Sequence, residues 1–270
     1  MNDQVDLNSY FERIGYSGPR QPTVEALRAV HAAQAAAIPF ENLDPLLRRP
    51  VNLDLASIQA KLVAQRRGGY CFEQNTLLAS VLEAMGFRVK RLGARVRWNA
   101  PPERPEGPRT HMVLLVELDD AAYVADVGFG SYVLSGPLKL VADAISRDAG
   151  NDLRLVLAEG RYTLQLRRAG GWADVYRFSL EPQFTSDYAL ANWWTSTHPN
   201  SLFIGNLLAE RVTPERRLTL FNRKLSTRYP DGRVDERSLE NPADLAAALR
   251  DLGIEPPEAV ETIWSRLPQT

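Results

Sequence analysis

Apolar residues recur at two different periods along this chain, and the change falls at Gly86. Before it the spacing is helical. Leu7, Tyr10, Phe11 and Ile14 form one face of a short helix closed by Gly15, and Val24, Leu27 and Val30 continue a second helix behind a Thr23 cap. That helix carries alanines after His31 and ends at Ile38-Pro39. The segment IPFENLDPLL sets two acidic residues among apolar ones and reads as a buried turn, and a further helix is expected from about Leu55 to Gln65. After Cys71 the positions Leu77, Leu78, Val81, Leu82 and Met85 return at helical spacing, with Gly86 where a left-handed cap belongs. The pattern predicts a small helical bundle over residues 1–86.

Beyond Gly86 the repeat shortens to two. Leu92, Ala94 and Val96 alternate with Arg91, Gly93, Arg95 and Arg97, as in a half-exposed strand. The four prolines of NAPPERPEGPRT then exclude helix and central strand and mark an exposed loop. HMVLLVEL and AAYVADVGFG follow as two strands around Asp119-Asp120, the pattern of a hairpin. Strands are also predicted at Leu153–Ala158, Arg161–Arg168 and Trp172–Leu180, separated by Glu159-Gly160 and Gly170-Gly171, so residues 87–183 read as an antiparallel meander or barrel. From Phe184 helix and strand signals mix over residues 184–270, where Asn241-Pro242 begins a helix ending near Gly253 and Pro256-Pro257 precedes a last one.

Composition narrows the function classes. At 270 residues the chain is long for one core, so two or three packed units are expected. With 32 basic and 33 acidic residues the net charge of −1 gives no electrostatic case for a nucleic-acid or membrane partner. The start, MNDQVDLNSYFERIGY, lacks the basic and apolar regions of a secretion signal, and no stretch has the length of a membrane span. A cytoplasmic location is the expectation, and there a single cysteine stays a free thiol.

That cysteine lies in RRGGYCFEQN, behind Gly68 and Gly69 and ahead of the helix. The glycines are expected to let the chain turn sharply and deliver Cys71 to a helix's first turn. Unpaired N–H groups and the positive end of the helix dipole suit an anionic nucleophile there. A lone cysteine is more often a small buried hydrophobe. The glycine pair, the helix start and the polar run Glu73-Gln74-Asn75 shift the reading toward chemistry.

A thiol nucleophile needs a base. His31, in an alanine-rich helix, reads as a packed or surface histidine, and His198, in the turn signature THPNS, can as easily cap a helix as touch a ligand. His111 begins a strand after the proline loop, where it can face a cleft. If Asp119-Asp120 is the hairpin turn, Val113 pairs with Asp126, which puts Asp126 diagonally beside His111 on one face, about 7–8 Å apart at the backbone. Asp126, flanked by Ala125 and Val127, needs a partner in such a strand. Cys71, His111 and Asp126 are then nucleophile, base and orienter in that order, as in cysteine proteases.

RGGYCFEQN, IPFENLD, THMVLLV, DVGFG and HPNSLF, in this order and over nearly the whole chain, resemble the arylamine N-acetyltransferases. The resemblance implies an α+β architecture of helical bundle, antiparallel β-barrel and α/β lid, with Cys71, His111 and Asp126 as triad, acetyl-CoA as donor and no metal. It implies a ping-pong cycle through an acetyl-Cys71 intermediate, passing the acetyl group to arylamines and related hydrazines. By motif position Phe40, Phe129 and Phe203 would line the amine site. Phe129, between two glycines, lets backbone and ligand approach most closely. No glycine-rich phosphate loop of dinucleotide type is present, so the coenzyme's arm is expected near Trp98, Thr110 and Gly128, with arginines at its diphosphate. Arg67 reads as structural, paired with a carboxylate such as Glu41. Three rival readings share some features: a cysteine amidase or peptidase, an amide synthase using another thioester, and a non-catalytic ligand-binding module. The oligomeric state, monomer or homodimer, is left open.

Overall fold

Asp6 accepts hydrogen bonds from the Asn8 and Ser9 N–H groups and so starts α1, Leu7–Ile14, which Gly15 ends in the left-handed region. In this computed structural model, which describes residues 4–101 and 103–268, Thr23 caps α2, Val24–Ala37. Pro102 of the proline loop and the first three residues of the amino-terminal stretch lie outside the described residues. The IPFENLDPLL segment is buried as expected, as a short strand β1, Phe40–Glu41, and a turn of helix α3, Leu43–Leu46. The helix expected from Leu55 to Gln65 begins as α4, Leu55–Ile58, and widens into a π-helical stretch, Gln59–Ala64. α5, Cys71–Ala84, has Cys71 as its first residue and Gly86 just past its end at φ +90°.

The β region runs β2, Arg88–Val96; β3, Arg109–Glu117; β4, Ala122–Ala125; β5, Leu138–Lys139; β6, Ser146–Asp148; β7, Asn151–Ala158; β8, Arg161–Arg168; and β9, Gly171–Pro182. These pair into one antiparallel sheet in the order β5-β4-β3-β2-β9-β8-β7-β6. It curls until the chain after β5 bridges back to β7 at Ala142 and Leu155, nearly closing the barrel. The hairpin register matches the expectation. Leu118 N–H bonds the Ala121 carbonyl across Asp119-Asp120, and Leu114 faces Ala125, one step short of Val113 and Asp126.

The mixed signals after Phe184 resolve into α6, Thr185–Thr197; α7, Leu202–Gly205; strands β10, Leu208–Val212, β11, Arg217–Phe221, β12, Lys224–Arg228 and β13, Val234–Ser238; and helices α8, Pro242–Asp251, and α9, Val260–Arg266. β10 to β13 form an antiparallel sheet whose outer strand is β1, contributed from the helical region. Strand pairing to a segment far away in sequence has no local signature, which is why this region gave no clean period. Three apolar clusters organise the whole. One joins α1, α2 and α5 to one face of β3, one fills the barrel, and one packs α8 and α9 on the second sheet with Leu43 and Leu46. β3 therefore has the helices on one face and the barrel interior on the other. No helix among the described residues is long and apolar enough to cross a membrane.

Candidate active site

Gly68 and Gly69 do not make the turn that the sequence suggested. The left-handed residue is Arg66, at φ +54°, and neither glycine has a positive φ. The glycines instead permit contact. A Cβ on Gly68 would lie 2.4 Å from the Pro39 carbonyl oxygen, and one on Gly69 would lie 2.8 Å from Glu73 Oε2. The stretch can thus lie against β1, where Glu41 N–H bonds the Gly69 carbonyl at 3.1 Å. Glu73 accepts the Tyr70 N–H at 3.1 Å at the head of α5 and an ion pair from Lys61 at 2.7 Å. Arg67 pairs with Glu41 at 3.2 Å, as expected, and also with Asp44 at 2.8 Å. Removing one member would leave a buried charge uncompensated, so the cluster fixes the approach to Cys71.

Cys71, His111 and Asp126 come together in the seam between α5 and the β3–β4 hairpin, and are 3%, 2% and 0% exposed. His111 thus lies in a packed interior, where an open cleft was expected. The rings of Phe129 and Tyr176 stand 5.1 and 4.9 Å from its centroid and cover it. His111 Nε2 lies 2.7 Å from Asp126 Oδ2, which leaves Nδ1 for the thiol. Cys71 Sγ lies beside that ring and donates to the Thr110 carbonyl at 3.7 Å.

Asp126 stands one residue past β4 and is held from several sides. Its Oδ1 accepts from Asn75 Nδ2 at 2.9 Å and from the Gly128 N–H at 2.9 Å. Asn75 in turn donates to the Met112 carbonyl at 2.7 Å and accepts the Val127 N–H at 3.0 Å. The Asp126 N–H itself donates to His31 Nε2 at 3.2 Å.

Electrostatics follow from this arrangement. Burial alone would lower His111, but the charge and hydrogen bond of Asp126, aided by Cys71, push it up to about 10. Burial alone would raise Asp126, but His111 and the donors Asn75 and Gly128 outweigh it and hold the carboxyl below its ordinary range. The pair is an imidazolium and a carboxylate at neutral pH, with the imidazolium beside the Cys71 sulfur.

The aromatic candidates fall into two groups. Phe129 packs on His111, Tyr176 and, at 5.8 Å, Trp98. Phe40 and Phe203 pack on each other at 6.0 Å, with Tyr70 on Phe203 at 5.7 Å. Phe40 also fills the space over Gly130, where a Cβ would lie 2.1 Å from its ring. Thr110 supplies the carbonyl facing the thiol, whereas Gly128 has its N–H committed to Asp126 and so is not free to donate to a ligand. His198 caps α6 and stacks on Trp194.

A family model described as N-acetyltransferase matches residues 23–255. The chain belongs to the arylamine N-acetyltransferase family. It is 42% identical over 247 residues to the arylamine N-acetyltransferase of Escherichia coli strain K12, covering 91% of this chain and 87% of that one. It superposes on the Mycobacterium marinum arylamine N-acetyltransferase with a TM-score of 0.92 at 36% identity, over 97% of this chain and 99% of that one. The same M. marinum protein in complex with CoA gives a TM-score of 0.91 at 36% identity, over 97% and 98%.

For this member of the family, the sequence reading missed three residues at the centre. Asn75 sat in a polar run whose direction the sequence did not give. Tyr176 reaches His111 only through pairing between distant strands. His31 had a signal: with Gln34 it is polar on the face of α2 defined by Leu27 and Val30, and both are fully buried.

Proposed function

We propose that this chain transfers the acetyl group of acetyl-CoA to the nitrogen of arylamines and related hydrazines, with Cys71 as nucleophile, His111 as acid and base, and Asp126 holding the imidazole. The observation that carries this reading is the 2.7 Å bond between His111 Nε2 and Asp126 Oδ2 beside a buried thiol at a helix start. Membership of the family supports it.

The Cys71 thiolate attacks the thioester carbonyl carbon. The coenzyme's sulfur departs and takes the proton of the His111 imidazolium, leaving acetyl-Cys71 and a neutral imidazole. One alkyl thioester is exchanged for another, so the step is near balanced and reversible. The amine then attacks acetyl-Cys71 and passes a proton to His111, while the departing Cys71 thiolate restores the ion pair. Asp126 remains ionised throughout and keeps the tautomer fixed.

An arylamine is neutral at pH 7 and can place its ring against an aromatic wall, for which we assign Phe129 with Phe40 and Phe203. Trp98 and Thr110 are assigned to the donor's arm, and Arg168, whose guanidinium lies 4.2 Å over Trp98, to its phosphates. Gly128 serves this site by leaving room against Cys71, where a Cβ would meet the Cys71 Cα.

Steady-state rates measured with acetyl-CoA and an arylamine both varied test the cycle. Parallel double-reciprocal lines are expected, and intersecting lines would rule out departure of the coenzyme before the amine binds.

A further inference from the structure

We propose that His31 is a positioning residue for the triad, fixing the Asp126 backbone so that the carboxylate meets His111. The inference rests on the proposed reaction. β4 ends at Ala125, so the Asp126 N–H has no acceptor on a neighbouring strand. His31 Nε2, reaching from α2, supplies one at 3.2 Å. Both residues are fully buried, so water cannot take the role. Asn75 and Gly128 orient the carboxylate, while His31 holds the backbone from the opposite element.

Space filling alone does not explain an imidazole here. Accepting at Nε2 places the proton on Nδ1, and Nδ1 has no hydrogen-bond partner among the described residues. A buried donor left unpaired is costly, and an apolar side chain would avoid that cost. What the imidazole adds is the acceptor for Asp126. The residue must also stay neutral, because a second ring proton would face the Asp126 N–H. The charges facing it are Asp126 and Asp148, and burial outweighs both, lowering His31 to about 4. His31 therefore holds the Asp126 backbone as a neutral imidazole, with its single ring proton on Nδ1. An ångström of misplacement in such a group costs about a hundredfold in rate.

The test compares the wild-type chain with His31→Phe, which fills the space without an acceptor, and His31→Gln, whose amide oxygen can replace Nε2. Rapid-mixing measurement of coenzyme release on acetyl-CoA addition gives the acylation rate against pH. His31→Phe is expected to lose about ten- to a hundredfold and to move the high-pH limb downward, because a displaced Asp126 holds the His111 proton less firmly, while His31→Gln keeps most of both. Wild-type rate and limb in His31→Phe would overturn the proposal, and so would an equal loss in both variants with no shift of the limb. Should His31→Phe not fold, nitrogen-15 NMR of the wild-type histidines decides. A neutral His31 with protonated Nδ1 and bare Nε2 between pH 6 and 9 supports it, and protonated Nε2 overturns it. Absence of acylation in the wild type would instead refute the proposed reaction, and the NMR result would still decide the His31 bond.

Discussion

Gly128 stands so close to Cys71 that a Cβ on it would lie 2.6 Å from the Cys71 Cα and 3.0 Å from Asn75 Nδ2. The first contact is with backbone at the head of α5 and cannot be relieved by a side-chain rotation. Gly128→Ala is expected to lower stability by about 1–3 kcal/mol and to cut acylation more severely than that loss explains. Thermal unfolding and coenzyme release, measured together, check this.

Asp126→Asn keeps the size of the group but removes its charge and can present the wrong partner to Nε2. A loss of about three to four orders of magnitude in acylation is expected, with the fold retained. Rapid-mixing kinetics at pH 7 read the loss, and circular dichroism reads the fold.

Stability should depend on pH through His111. Its pKa is raised from 6.5 to about 10 on folding, so between those values the native chain binds more protons than the unfolded one. The contribution is complete below pH 6.5 and is lost as pH rises through about 10. Glu73, raised by burial to about 7 against the pull of Lys61, acts in a lower window, and the buried tyrosines and Arg13 act near pH 10 and above, so urea unfolding between about pH 7.5 and 9, compared with His111→Phe, reads the His111 effect. The wild type is expected to weaken over that range more than His111→Phe does.

Asn75→Ala should leave the Val127 N–H without its acceptor and take one donor from Asp126. About 1–3 kcal/mol of stability should be lost. Asn75→Asp would put a second carboxylate beside Asp126 and should impair acylation further. Denaturation midpoints and acylation rates of the two variants separate the effects.

Local features of this fold were legible where one element sets the pattern. Thr23, Gly15, Gly86 and Asn241 mark helix ends by their own chemistry, and the Asp119-Asp120 turn fixes the register that brings Asp126 to His111. Contacts between distant elements were not legible. β1 joining the second sheet, Tyr176 covering His111 and His31 holding Asp126 all depend on packing across the three apolar clusters. Gly68 and Gly69 show the same division: their presence signalled a special site, but the sequence suggested a turn where the fold needs close approach.

The central claim is that Cys71 accepts the acetyl group itself. Intact-mass spectrometry of the chain incubated with acetyl-CoA alone tests it most directly. One added acetyl group, mapped to Cys71, lost on addition of an arylamine and absent from Cys71→Ala, is the expected result. An unmodified mass with no release of free coenzyme would contradict it.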